Sequence, residues 1–372
     1  MKKILFMPLL RMSSGHHQVA DSIMEALKEG NREWEFEKIE ILSYSFGFIE
    51  SIVTGMYLKS IKVVPNLYSW LYRKVSFNET YEEKRYFLYE LIFLRYMEKI
   101  LKEINPDIII CTHALPSYLL NRLKQKSSFS VPIFNVYTDF FVNQLWGLSH
   151  IDYHFTPNQE VKQFLSDQGI QDKRIFVTGI PVHPFYMKDD THLDKKDRNS
   201  FTIIISGGSL GTGNIKKLVK KLKPSGKVYY NVLCGENKKL FQFLQSINNP
   251  YITPLPYISC KKEMNELYSK ASGIITKPGG VTISETLRKQ LPIFIYSVLP
   301  GQEEINLTTL KNKDLAIQLE DSDQDLEGNI LSYLTSHQWQ SHRKKQCHNY
   351  LKSLENNNIK DIFEKILIET RS

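Results

Sequence analysis

Short β-branched runs alternate twice with amphipathic helical stretches along this chain, and that rhythm admits little besides parallel sheets covered by helices. In the first half the strand candidates are Lys3–Met7, Phe36–Ile41, Ile108–Cys111, Ile133–Tyr137, Tyr153–Thr156 and Ile175–Val177. A second series runs Phe201–Ser206, Val228–Cys234, Ile252–Pro254, Gly273–Thr276 and Ile293–Tyr296. Between them Pro181-Val182-His183-Pro184 can continue neither a helix nor a central strand, because proline lacks the amide donor. The polar stretch Lys188–Ser200 that follows reads as a linker. With 372 residues, of which 42% are hydrophobic, the chain can bury two cores rather than one. The expected organisation is a first α/β domain over 1–190, a second over 200–340, and a charged helical tail over 341–372 that crosses back to the first domain.

Several classes fall away on composition. The apolar run Ile4–Leu10 is broken by Pro8 and followed by Arg11, and lacks a small-residue cleavage site, so it reads as a buried first strand rather than a signal peptide. No apolar run reaches the ~18 residues a membrane span needs. The four cysteines, Cys111, Cys234, Cys260 and Cys347, are widely spaced with no C-x-x-C pair. That spacing speaks against a zinc site or a disulfide framework and suits a reducing cytoplasm. The net charge of +8 is uneven: residues 1–190 are close to neutral. Lys216, Lys217, Lys220, Lys221, Lys223 and Lys227 form a dense run in the second half, read either as a solvated helix face or as attraction to anionic lipid or phosphate. No nucleic-acid-binding motif accompanies the charge. The segment Phe46–Val75 is crowded with aromatics among lysines, which fits domain core and equally a surface that dips into a bilayer interface.

Four loops at expected strand ends hold groups suited to chemistry, since ligands of open α/β sheets bind at the carboxyl ends of strands. The first, Arg11–Gln18, places Gly15 and the adjacent His16 and His17 before a helix expected over Val19–Lys28. A histidine there can take a proton from a hydroxyl near neutral pH, and two successive histidines point in different directions. Surface exposure and capping account for the same residues. The second, Ser206–Asn214, is glycine-rich and offers backbone N–H groups to an anion. It lacks the Gly-Lys-Ser/Thr of a P-loop and the third glycine of the dinucleotide fingerprint. It does contain Gly207-x-Ser209-x-Gly211, the pattern of a hydrolase nucleophile elbow, with Asp314–Asp325 and His337, His342 or His348 downstream as formal partners. The third, Thr276–Glu285, combines a Gly279-Gly280 turn with a helix start and a carboxylate, Glu285, able to accept two bonds from vicinal hydroxyls; a structural turn with a capping carboxylate is the alternative. In the fourth, Pro300–Asn306, Gln302 and Glu303 are residue types that read sugar hydroxyls. His113 and Asp139 sit at strand ends, able to reach a cleft or to cap a helix. The acidic run Glu320–Glu327 has Leu326 where a calcium loop needs glycine, and reads as a solvated loop.

Taken together these loops carry a resemblance. Gly15-His16 with Gln18-Val19-Ala20, Phe134-Asn135-Val136 through Thr138-Asp139-Phe140, Thr178-Gly179-Ile180-Pro181, Thr276-Lys277-Pro278-Gly279-Gly280 with Glu285, and Pro300-Gly301-Gln302-Glu303 stand in one order. In that order they resemble the diacylglycerol glycosyltransferases of glycosyltransferase family 28, and more distantly the lipid-linked N-acetylglucosaminyltransferase of peptidoglycan synthesis. The resemblance implies a GT-B fold, two Rossmann-like domains facing each other across a cleft. It also implies an inverting transfer of a hexose from a UDP-sugar to a lipid, diacylglycerol first, with no permanently bound cofactor and no obligatory metal. His16 would be the base toward the acceptor. Backbone at Tyr257 and Ile258 would meet uracil, Glu285 the ribose, Gly279, Gly280 and Thr282 the diphosphate, and Gln302 and Glu303 the sugar. Gly15 and the turn Gly207-Gly208-Ser209 are assigned to the same donor. Peripheral attachment of the first domain to the anionic inner face of the cell membrane follows from the same resemblance, as does a cytoplasmic location. This chain departs from its relatives at Ser13-Ser14-Gly15, where they carry more glycine, and at His183, where arginine is usual. The readings kept beside it are transfer to another acceptor, an α/β-hydrolase using Ser209, and a nucleotide-sugar 2-epimerase.

Overall fold

The computed structural model describes residues 2–9, 14–29, 34–46, 84–126, 129–187, 200–320, 322–355 and 359–369. The chain divides into two compact units, Met1–His183 with Ser353–Ser372, and Pro184–Lys352.

In the first unit six strands form one parallel sheet. They are β1 (Lys2–Met7), β2 (Trp34–Lys38), β3 (Ile108–Cys111), β4 (Ile133–Val136), β5 (Tyr153–Thr156) and β6 (Ile175–Val177). Ile4 to Met7 and Ile109 to Cys111 are fully buried, which is why these strands read as unbroken apolar runs: helices cover both faces of a parallel sheet. The described helices up to β6 are α1 (Gly15–Lys28), α2 (Ile41–Phe46), α3 (Phe87–Ile104), α4 (Ala114–Lys126) and α5 (Gln159–Asp167). The strand order is β2-β1-β3-β4-β5-β6. The chain moves outward from β1 to β2 and then crosses back to β3, so the loops that leave β1 and β3 diverge at the point where the order reverses. A crevice opens at such a point in a doubly wound sheet.

The second unit repeats the plan with β7 (Phe201–Ser206), β8 (Val228–Leu233), β9 (Ile252–Leu255), β10 (Gly273–Thr276), β11 (Ile293–Ile295) and β12 (Ile317–Gln318). Its helices are α6 (Ile215–Lys221), α7 (Lys238–Ile247), α8 (Lys261–Lys270), α9 (Gly280–Arg288), α10 (Gln302–Asn312), α11 (Leu326–Thr335) and α12 (His337–Lys352). The order β12-β11-β10-β7-β8-β9 is that of a Rossmann sheet, with its reversal between β7 and β10. In the lysine run, Lys216 and Lys220 lie 4.8 and 5.8 Å from the centre of the Phe243 ring, so part of that run covers an aromatic face of its own unit.

The chain then returns to the first unit. Glu355 N donates to Val177 O of β6 at 2.7 Å, and the last helix, α13 (Ile359–Glu369), packs against α1. Phe363 is fully buried, its ring 4.6 Å from Phe134 and 5.1 Å from Phe155. Phe363→Ala is expected to cost the first unit about 3–5 kcal/mol, the usual range for a buried phenylalanine. Chemical denaturation of the variant checks this, and an unchanged midpoint would remove α13 from the core.

The boundaries differ from the sequence reading in instructive places. The second strand ends at Lys38, and Ile41 already begins α2. The first helix starts at Gly15 rather than Val19, so both histidines lie in its first turn. The acidic run is not a solvated loop throughout. Asp325 caps α11 by accepting from Gly328 N, and Glu327 is buried, bonded to Ser225 and to the Tyr230 hydroxyl. β12 has only two residues and gave no signal. The aromatic segment beyond Phe46, loop residues 11–13 and the stretch 188–199 lie outside the described residues. No described helix is long and apolar enough to cross a membrane.

Candidate active site

In the first unit the site is built at the reversal between β1 and β3. α1 follows β1 and brings His16 to its first turn, where His16 Nδ1 lies 2.7 Å from the carbonyl oxygen of Thr112, the residue that follows β3. A carbonyl only accepts, so this contact places the proton on Nδ1 and leaves the lone pair on Nε2. Thr138 Oγ1, just beyond β4, stands 3.0 Å from the same nitrogen. Burial pushes the His16 pKa down to about 4, against the opposing pull of the Thr112 carbonyl and with a smaller contribution from neighbouring His17. The ring is therefore neutral at physiological pH, the state a general base requires. His17 takes the other direction, as expected for successive residues: it is buried, with Nε2 3.9 Å from Glu40 Oε1. The His113 ring meets that of His16 edge to face, with centroids 4.7 Å apart.

In the second unit the turns after β7 and β10 flank the reversal of that sheet. The turn after β7 is tied down along its length. Thr212 N donates to Gly207 O, Glu236 N to Ser209 O, and Asn237 Nδ2 to Gly211 O. A Cβ at Gly207 would lie 1.9 Å from Thr212 O, so only glycine lets the turn close this tightly. Five residues, Leu210 to Asn214, separate Ser209 from the start of α6. A nucleophile elbow passes from strand to helix at the serine itself, so this turn does not have that geometry. Of the histidines offered as hydrolase partners, His342 is half-exposed and pairs with the exposed Asp314 at 3.2 Å.

After β10, Gly279 is the N-cap of α9, and a Cβ built there would meet no atom within 4 Å. A helix start leaves its first amides without intrahelical partners; in α9 Gly280 and Val281 are buried there and Thr282 is partly exposed. The Thr276 and Ser284 hydroxyls are buried with no hydrogen-bond partner among the described residues. Lys277 reaches across the reversal. Its Cε lies 3.6 Å from where a Cβ on Gly208 (φ +73°) would stand, and its Nζ pairs with Glu303 Oε1 at 2.9 Å. Glu303 Oε2 also accepts from Leu299 N, and Asn306 Nδ2 donates to Pro278 O. These bonds join the third and fourth loops, with Gln302 and Glu303 in the first turn of α10. A small pocket here is lined by Ser206, Thr212, Gly213, Thr276, Lys277 and Ser297.

Glu285 lies further along α9, buried at 7% exposure, and accepts from the Tyr268 hydroxyl at 2.9 Å. Burial raises its pKa, while the Lys261 charge and the Tyr268 bond oppose the rise. The carboxylate is therefore held by α8 and does not cap its own helix. Tyr257, exposed, and Ile258 lie in the segment between β9 and α8, whereas Gly15 and His16 belong to the first unit. Lys277 and Tyr268 escaped the sequence reading as site groups. Lys277 stood inside a quoted motif without a role, while Tyr268 lay in no motif.

The two halves of the chain match two family models: monogalactosyldiacylglycerol (MGDG) synthase over residues 16–182, and the glycosyltransferase family 28 C-terminal domain over 202–363. An uncharacterized glycosyltransferase, YkoN, of Bacillus subtilis (strain 168) is 46% identical over 99% of this chain and 98% of its own length. A processive diacylglycerol beta-glucosyltransferase of Bacillus cereus (strain G9842) is 30% identical, covering 83% of this chain and 80% of that protein. Among solved structures, MurG of Acinetobacter baumannii superposes with a TM-score of 0.61 at 14% identity, over 98% of this chain and 99% of that one. Identity that low speaks for the fold alone, which is the two-domain Rossmann-like plan of the GT-B class. With this fold, these two matched halves and a relative of nearly equal length, the chain is a glycosyltransferase belonging to family 28.

Proposed function

We propose that this enzyme moves a hexose from a UDP-sugar to the hydroxyl of a membrane lipid, with diacylglycerol as the first acceptor, and inverts the anomeric centre. The observation that carries the reading is the neutral His16 imidazole, whose Nδ1–H is committed to Thr112 O so that Nε2 keeps its lone pair. In the reaction the acceptor O–H gives its proton to Nε2 and its oxygen attacks the anomeric carbon. The bond from that carbon to the diphosphate breaks, and its electron pair leaves with UDP. Amides at the start of α9 and the glycine turn after β7 stabilise that charge, a task suited to donors already fixed in place. The assigned roles are the ribose for Glu285, the diphosphate for Gly279, Gly280 and Thr282, the sugar for Gln302 and Glu303, and uracil for backbone at Tyr257 and Ile258. Gly15 and the Gly207-Gly208-Ser209 turn complete the donor site. No divalent metal takes part in this scheme, and the enzyme works from the cytoplasmic face of the membrane as a peripheral protein. The name of the Bacillus cereus relative and the MGDG synthase match support a lipid acceptor.

Incubation with a panel of uridine nucleotide sugars and membrane lipid extract, with and without a chelator, tests this by mass spectrometry of the products. Glycosylated diacylglycerol formed equally in the two conditions is the expected result. A sugar appearing only on another acceptor would correct the lipid assignment. Epimerised donor in the absence of any acceptor would replace transfer by 2-epimerisation.

A further inference from the structure

His113 is a residue of the first unit to which the scheme above gives no task. It follows β3, at the reversal of the sheet, and precedes α4 as the residue that caps it: Leu115 N donates to His113 Nδ1 at 3.1 Å. A backbone N–H only donates, so His113 Nδ1 carries the lone pair and its proton sits on Nε2. The tautomer of His16 is fixed the opposite way by the Thr112 carbonyl. Consecutive residues of one strand end, Thr112 and His113, thereby set two imidazoles in complementary states, with rings 4.7 Å apart and 76° between their planes. One ring offers a lone pair at Nε2 and the other an N–H at Nε2. Burial and the neighbouring His16 hold the His113 pKa well below its ordinary value, so the ring stays neutral and keeps this arrangement at physiological pH.

An alcohol is both donor and acceptor, and a donor–acceptor pair is its complement. We infer that His113 is a second acceptor-side residue, whose Nε2–H donates to the oxygen of the incoming hydroxyl while His16 Nε2 accepts its proton. This deepens the proposed transfer to a hydroxyl acceptor and rests on it. The bond orients an oxygen lone pair away from the attacking one and fixes the O–H toward His16, so its contribution is to positioning at the reacting atom. His113 itself takes no proton, because its only lone pair is occupied by the cap.

The helix cap alone is a sufficient reason for a polar side chain here, and asparagine or serine caps as well as histidine does. His113→Asn therefore separates the two roles. The experiment measures initial rates of sugar transfer against acceptor concentration, UDP affinity by calorimetry, and the melting temperature, for the wild type, His113→Asn and His113→Phe. Loss of one hydrogen bond to the reacting oxygen predicts a fall in kcat/KM for the acceptor of roughly tenfold or more in both variants. Donor affinity should match the wild type, and the melting temperature should be preserved in His113→Asn. His113→Phe keeps a flat ring beside His16 without the N–H, so equal loss in both variants assigns the effect to the donor nitrogen. Full activity in His113→Asn would overturn the inference and leave His113 as a cap. A wild-type enzyme that binds UDP yet glycosylates no hydroxyl acceptor would instead sink the acceptor reading, and this inference with it.

Discussion

His16→Ala is expected to lower kcat by roughly 10²-fold or more, the contribution ordinarily made by a positioned general base. Donor affinity should remain at the wild-type value, because His16 belongs to the first unit while the proposed donor groups other than Gly15 lie in the second. The same assignment fixes the pH profile. With its pKa held down to about 4 by burial, the imidazole is already unprotonated at neutral pH. Activity is lost on the acid side only as the pH falls toward that value, and an acid limb near the ordinary histidine pKa of ~6.5 would mean that a differently placed group titrates. Steady-state rates for the wild type between pH 4 and 8, with donor binding measured on the variant, decide both points. Turnover close to wild type in His16→Ala would remove the residue from the chemistry.

The second large effect belongs to Glu285. Glu285→Ala removes the carboxylate assigned to the ribose diol and also strips the buried Tyr268 hydroxyl of its acceptor. Donor affinity should fall by roughly 10- to 100-fold, corresponding to ~1–3 kcal/mol for a buried polar group deprived of its partner. Glu285→Gln discriminates the two consequences, since its amide oxygen still accepts from Tyr268 while the second acceptor is lost. Restored stability with UDP affinity still weakened assigns the carboxylate to the ligand. Wild-type UDP affinity in both variants would leave Glu285 a purely structural partner of α8.

How much of this was readable in advance follows from which forces act locally. Strands such as Ile108–Cys111 and Gly273–Thr276 are buried on both faces, so their whole length must be apolar or small, and their limits show in the sequence. The start of α1 did not show. Ser14 is its N-cap but makes no side-chain cap bond, and Gly15-His16-His17 has weak helical propensity, so burial of His17 and Val19 determines where the helix begins. The candidate loops were visible one at a time, because each ends a recognisable strand. Their couplings were not. His16 meets residues 96 and 122 positions away through the crossing order of the sheet, and Tyr268 reaches Glu285 because α8 and α9 are neighbours. The same holds for Glu327, whose burial depends on Ser225 and Tyr230 rather than on the acidic run around it. Periodicity reports what a segment buries, and says little about which distant group it will meet.

The return of the final helix has a bearing on how the protein comes into being. The second unit is one continuous stretch, Pro184–Lys352, so a ribosome delivers all of it before Ser353 and the residues that follow. The first unit, though begun earlier, lacks the aromatic wedge of Phe363 until those later residues emerge. Birth order and maturation order are therefore reversed: the half begun first is completed after the other, and a chain cut after Lys352 is expected to leave the amino-terminal half, not the second unit, short of part of its core.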